Sequence, residues 1–243
     1  MSPVIEKDGA DAGRVQGPVL GIVQMANLPL RWRGNLGNPD SFRYPVRYAT
    51  AASAFTPRIL RNDPEVGIDY LRQARRLQRE GVSAILTTCG FAVLYQPVLA
   101  AGLKIPVATS GLLALPLALR SAPGNGEVGV IRYASKRLSA RFLRAGGAAR
   151  ADLARLRIGG LDGTETWRQL AMPEPALSFE QLEDDVIATV RRFLRQHRRV
   201  RSLLFECSAL CPFTPRLRRE TGLPVFDFIS VADALMDSLV TQR

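Results

Sequence analysis

The chain has 243 residues, 47% of them hydrophobic and 23% charged, with a formal net charge of +11. That length and composition suit one large or two small globular domains with a real core. No apolar run reaches the length of a membrane span, and the opening MSPVIEKDGADAG lacks a secretory apolar region, so the expectation is a cytoplasmic protein without a membrane partner.

Residues 1–16 read as a loose tail. A first strand follows in GPVLGIVQMA (17–26), then a long polar loop, NLPLRWRGNLGNPDSFRYPVRY (27–48), of the kind that often forms lids or binding loops. Pro64 to Glu80 has helical periodicity, and Gly81 supplies its stop. VSAILTTC (82–89) is nearly continuous in apolar residues and reads as a buried parallel strand, followed by a helix over 92–101 and a strand in PVATS (106–110). A helix over 111–120 leads through the turn SAPGNG to the strand EVGVIRY (127–133), and Ser135 is placed to cap a helix over 136–145. ADLARLRIGGL holds a short strand, and MPEPALS a loop. Ser178 with Gln181 forms a capping box that opens a long helix to about His197. VRSLLFEC (200–207) is a strand, 214–221 a helix, PVFDF (224–228) a strand and 230–240 a closing helix. Strands alternating with helices define an α/β fold with mainly parallel sheets.

The rarer residues narrow the chemistry. Three cysteines, Cys89, Cys207 and Cys211, form no CxxC pair and no even-numbered disulfide framework. With one histidine in the chain, Cys207 and Cys211 fall short of a zinc site. That histidine, His197, lies in the charged run RRFLRQHRRVR, which argues against Ser-His or Cys-His catalysis. Only three basic residues are lysines (Lys7, Lys104 and Lys136). Nucleic-acid binding is one reading of such basicity. Yet YLRQARRLQREG sets Leu71 and Leu77 on one side of a helix and arginines on the other, and no aromatic-and-basic platform appears. The expectation is therefore solvated arginine faces and no nucleic-acid partner. PGNGEVG places its glycines before a strand, so it is a turn and not a phosphate loop. Glu180, Glu183, Asp184 and Asp185 lie in the first turns of a helix, where negative charge suits the dipole.

An internal repeat gives the cysteines a context. Val82 stands seven residues before Cys89 and Val200 seven before Cys207, while Pro106 and Pro224 each follow their cysteine by seventeen. Both units run strand, cysteine, polar turn, helix, then a Leu/Ile-Pro-Val strand. Each therefore puts a cysteine at the C-terminal end of a parallel strand, where ligands bind in open α/β sheets. A free cysteine can also be a small core residue. A strand tip followed by Gly90 or Ser208 is a poor packing position, and a following helix dipole favours a thiolate. Cys211 matches Val93 in the first repeat and reads as structural.

TTCGF (87–91), PVATSGL (106–112), EVGVI (127–131), ECSALCP (206–212), GLPVFDF (222–228) and the loop GNLGNPDSFRYPVRY (34–48) resemble the aspartate/glutamate racemase superfamily. That superfamily includes cofactor-independent amino-acid and hydantoin racemases, maleate isomerases and arylmalonate decarboxylases. The resemblance implies two pseudosymmetric, Rossmann-like α/β domains, 17–112 plus 225–243 and 113–224, with the active site between them, no cofactor and no metal. It implies an isomerase in which Cys89 and Cys207 act as base and acid on the α-carbon of a small carboxylate, and a possible homodimer. Asn27, Thr88, Gly90, Ser110 and Ser208 occupy positions suited to holding the carboxylate. Thr87, Thr88 and Ser110 can equally be strand-end hydroxyls that cap the next helix. The sequence departs from the family at Ala26 and Asn27, where an acidic residue is common, and at Gly90 and Ser208, where Asn or Thr is common. These departures bear on the substrate. Decarboxylation or cis–trans isomerisation on the same scaffold is the nearest alternative, and a non-catalytic ligand or nucleic-acid binder the next.

Overall fold

The computed structural model describes residues 17–27, 30–170, 172 and 176–240. The expected tail and part of the MPEPALS loop lie outside those residues. The described chain divides into two compact units, one running up to Ser110 and resuming at Ile229, the other spanning Gly111 to Phe228.

The first unit is built on strands β1 (Leu20–Gln24), β2 (Val46–Thr50), β3 (Ala84–Thr87) and β4 (Val107–Ala108), all parallel in the order β2-β1-β3-β4. Its helices are α1 (Thr56–Leu60), α2 (Pro64–Arg79) and α3 (Gln96–Gly102). Asp63 caps α2 by accepting a bond from the Glu65 amide at 3.1 Å, and Pro64 is preset for the first turn. Helix α2 buries Val66, Tyr70, Ala74 and Leu77 against β1 and β2, so its inward face passes through Tyr70 and not Leu71.

In the second unit β5 (Glu127–Arg132), β6 (Leu156–Gly160), β7 (Val200–Phe205) and β8 (Val225–Phe226) pair in parallel, in the order β6-β5-β7-β8. They are accompanied by α4 (Leu115–Ser121), α5 (Ala140–Ala145), α6 (Glu165–Gln169), α7 (Phe179–Gln196) and α8 (Thr214–Thr221), while the closing helix α9 (Phe228–Asp237) belongs from Ile229 onward to the first unit. The capping box at α7 is as expected: the Ser178 hydroxyl accepts from the Gln181 amide at 3.1 Å, and the Gln181 side chain accepts from Ser178 at 3.0 Å. Strands β3 and β5 are buried throughout, which explains why their sequences are apolar without alternation.

The two units repeat residue for residue around their cysteines. Ile85 and Leu86 face Val107 and Ala108, as Leu203 and Leu204 face Val225 and Phe226. The carbonyls of Pro106 and Pro224 accept from Ile85 and Leu203 at 2.9 and 2.8 Å. Beyond these short edge strands the side chains turn back to the preceding helix. The Gln96 carboxamide donates to the Val107 carbonyl and accepts from the Thr109 amide and hydroxyl, at 2.9, 2.9 and 2.8 Å. At the matching place the Thr214 hydroxyl donates to Asp227 at 2.6 Å.

Several local expectations change. Val46–Thr50, read in part as loop, is the edge strand β2; its mostly half-buried residues hide the apolar pattern of a strand. The expected strands 106–110 and 224–228 shrink to two residues each, because Thr109 and Asp227 bond to the helices instead of the ladder. The helices expected over 92–101 and 111–120 begin as 3-10 turns, Gly90–Tyr95 and Gly111–Ala114, and become α-helical only where Pro97 and Pro116 enter their first turn. Ser135 opens a 3-10 turn, its amide donating to Asp162 at 2.7 Å, and α5 starts after Ser139.

Two glycines of the second sheet make room for one ring. A Cβ on Gly129 would lie 2.6 Å from the Phe193 ring, and one on Gly159 would lie 2.8 Å from it. Gly129→Ala is expected to lower stability by about 1–3 kcal/mol through overpacking. Thermal denaturation checks this, and adding Phe193→Leu is expected to return part of the loss.

Candidate active site

In the first unit Cys89 lies two residues past β3, in extended conformation (φ −124°, ψ 125°), and heads the 3-10 turn Gly90–Tyr95. Its carbonyl accepts from Ala92 at 2.9 Å, and the residue is 8% exposed. Thr88 accepts from the Met25 amide at 3.1 Å, which ties the tips of β1 and β3 together. Ser110, fully buried, donates to the Gly90 carbonyl at 2.7 Å, and Thr87 donates to the Thr109 carbonyl at 2.6 Å. Thr88, Cys89, Gly90 and Ser110 are thus gathered at one sheet end. The hydroxyls of Thr87 and Ser110 are already donating to backbone carbonyls there. Asn27 lies three residues beyond β1, at the same end of the sheet, with its surface exposed.

Cys207 repeats the placement in the second unit, two residues past β7 (φ −92°, ψ 125°), with its carbonyl accepting from Leu210 at 3.1 Å. It is half-buried, and Ser208 beside it opens the 3-10 turn Ser208–Phe213. The backbone amides of Ala209 and Tyr133 favour the thiolate form of Cys207. Burial nevertheless pushes the Cys207 thiol up to about 11, with the neighbouring Glu206 carboxyl adding to the rise; the two amides and the Arg132 guanidinium oppose it. Cys211 is buried, 3% exposed. The α-helices after both cysteines begin only at Gln96 and Thr214, so the field at each sulfur comes from local 3-10 turns and not from an α-helix end.

Residues that the sequence reading passed over surround Cys207. The register of β5 on β7 sets Ile131 beside Phe205, and so brings Arg132 to Glu206. Their side chains approach to 3.3 Å, at 2% and 3% exposure. Burial raises the Glu206 carboxyl and Arg132 pulls it back down. Tyr133, next in the chain, donates its hydroxyl to the Trp167 carbonyl at 2.6 Å, and the two rings stack with centroids 6.2 Å apart. The signal was present in ECSALCP and EVGVIRY, where charged residues close strands that are otherwise apolar.

Two parallel sheets in one repeated strand order give this chain a fold that it shares with solved racemases and a decarboxylase. Solved structures agree on the fold. A mutant of arylmalonate decarboxylase in its sulfate-associated form aligns with a TM-score of 0.57 at 16% identity, covering 93% of this chain and 96% of that one. Allantoin racemase from Klebsiella pneumoniae aligns at 0.56 and 15%, covering 91% and 87%. Within that fold the chain belongs to the dimethylsulfoniopropionate lyase family: it is 30% identical over 214 residues to the lyase of Durusdinium sp. clade D, covering 85% of this chain and 70% of that one. Dimethylsulfoniopropionate lyase 5 of Emiliania huxleyi is 28% identical over 66% of this chain, which spans 34% of that protein. No protein-family model matches the chain. The expectation of an enzyme is met, while the relatives carry the name of lyases where an isomerase was expected. No described helix is long and apolar enough to cross a membrane.

The state of Cys207 has a measurable consequence. Its folded thiol titrates at about 11 against an ordinary 9.0, so the folded protein binds that proton more tightly than the unfolded chain does. The associated stability is present below pH 9 and lost as pH rises through 11. Denaturant unfolding across that range is expected to show a loss that Cys207→Ala reduces. Alkylation of Cys207, mapped by peptide mass spectrometry, is expected to rise with its midpoint near 11.

Proposed function

We propose that the chain is a cofactor-independent lyase that removes the proton next to a carboxylate and expels a leaving group from the β-carbon, with dimethylsulfoniopropionate as substrate. The observation that carries this reading is the 30% identity, over 85% of the chain, to a dimethylsulfoniopropionate lyase. Cys89 serves as the base. Its thiolate takes the α-proton, the C–H electron pair becomes the new C=C bond, and the C–S bond breaks toward sulfur. Dimethyl sulfide leaves as a neutral molecule, acrylate remains, and the proton passes from Cys89 to solvent. A base placed for this step contributes about 10²–10⁴-fold.

The second unit carries groups of its own whose chemistry suits such a substrate. Cys207, held as a thiol at neutral pH, is a donor for a carboxylate. The stacked Tyr133 and Trp167 rings offer aromatic surface to the sulfonium cation, an attraction of about 0.5–2 kcal/mol. Racemisation shares the first step and differs in the second, where a thiol returns a proton to the opposite face; the duplicated cysteine favours it as the second reading.

Incubation with dimethylsulfoniopropionate in heavy water tests the choice. Acrylate and dimethyl sulfide in equal amounts are expected, with Cys89→Ser lowering the rate at least a hundredfold. Inversion and α-deuteration of a chiral acid, with no acrylate, would overturn the lyase in favour of the racemase. Trp167→Leu is expected to raise KM for the sulfonium substrate several-fold with a smaller change in kcat.

A further inference from the structure

Tyr70 is fully buried on the inner face of α2, and its hydroxyl has no hydrogen-bond partner. An isolated buried hydroxyl costs about 1–3 kcal/mol, so a phenol kept in such a place calls for a reason. Its surroundings supply one. The Tyr70 ring lies 5.9 Å from Tyr95, which ends the 3-10 turn headed by Cys89. Helix α2 comes close enough to that turn that a Cβ on Gly67 would meet the Tyr95 ring at 2.9 Å. Tyr95 itself is anchored, its hydroxyl donating to the Asp63 carbonyl at 3.1 Å.

The second unit provides a comparison within the same chain. Phe213 stands where Tyr95 stands, at the end of the 3-10 turn after Cys207, and packs at 5.2 Å against Phe179 of α7. Two phenylalanines make that helix-to-turn contact there, so the packing needs no hydroxyl. The first unit makes it with two tyrosines and leaves the Tyr70 oxygen without a bond.

We infer that Tyr70 is a positioning residue for Cys89, its hydroxyl donating to the sulfur when Cys89 becomes a thiolate. Burial holds the phenol protonated, so it keeps a proton to donate; the groups acting on it after burial are Cys89, then Tyr95 and Asp69. The Asp69 carboxylate accepts from the Ser53 amide and hydroxyl, both at 2.9 Å, and the Tyr70 hydroxyl makes no bond to it. A donor to a charged sulfur is shorter and stronger than one to a neutral thiol, so the bond forms as the base forms.

The inference rests on the role given to Cys89 above only for its effect on turnover; its primary test needs no substrate. Tyr70→Phe is expected to slow iodoacetamide alkylation of Cys89 at pH 7 about tenfold and move the rise of its rate to higher pH, tenfold being one pH unit of thiolate stability. Peptide mass spectrometry reads Cys89 apart from Cys207 and Cys211. Thermal stability is expected to hold or rise, because the substitution keeps the ring and removes the unbonded oxygen. Tyr95→Phe, which breaks the bond to Asp63, is expected to leave the Cys89 profile in place. An unchanged Cys89 profile in Tyr70→Phe, or an equal shift in both variants, would overturn the inference. Slowed alkylation in an enzyme that forms no acrylate would sustain it while removing the lyase reading.

Discussion

The Gln96 carboxamide closes three hydrogen bonds onto Val107 and Thr109, and the Thr214 hydroxyl closes one onto Asp227 at the matching place in the other unit. Each joins the residue that opens an α-helix to the residue leaving a two-residue edge strand. The segment between the cysteine and that helix has its far end fixed by these bonds. It forms a 3-10 turn, with the cysteine extended at its head. The proline in the first turn of each following helix holds the far end. The sulfur positions are thus set by tertiary bonds made seven or more residues away.

Much of this was legible in the sequence. Continuous apolar strands, the Ser178–Gln181 box and the spacing that repeats Val82–Cys89–Pro106 as Val200–Cys207–Pro224 rest on local pattern, and local pattern survives folding. What escaped depends on partners distant in the chain. β2 is a strand because β1 lies beside it, and its half-buried residues give no alternation to read. Nothing in the sequence pairs Arg132 with Glu206, 74 residues apart; sheet register brings them together. The unbonded Tyr70 hydroxyl has no sequence signature, since a tyrosine on the apolar stripe of a helix reads as core.

The kind of reaction was the least legible part, for a chemical reason. Proton removal beside a carboxylate asks the same of the protein whether a proton returns, a double bond shifts or a β-substituent leaves. The residues proposed to answer the common demand, Cys89 and Cys207 with their turns, are those the repeat exposes. The residues that would tell the outcomes apart are those that meet the rest of a substrate, and no repeat pattern marks them; Tyr133 and Trp167 of the second unit, proposed above for that part, lie outside the repeat.

The arginines have a further meaning. Arg155 donates to the carbonyls of Gly126 and Leu119, Arg218 donates twice to Val225, and Arg75 donates to Gly102. On the outer strands Arg47 stands opposite Gly21 and reaches the Glu80 carbonyl, while Arg157 stands opposite Gly129 and reaches Glu127 at 2.6 Å. A planar fork can tie off two acceptors at once or grip one twice, which a lysine ammonium does not do in fixed geometry. Part of the chain's basicity is therefore internal wiring: cationic forks that fasten loose carbonyl ends and guard exposed sheet edges against added strands.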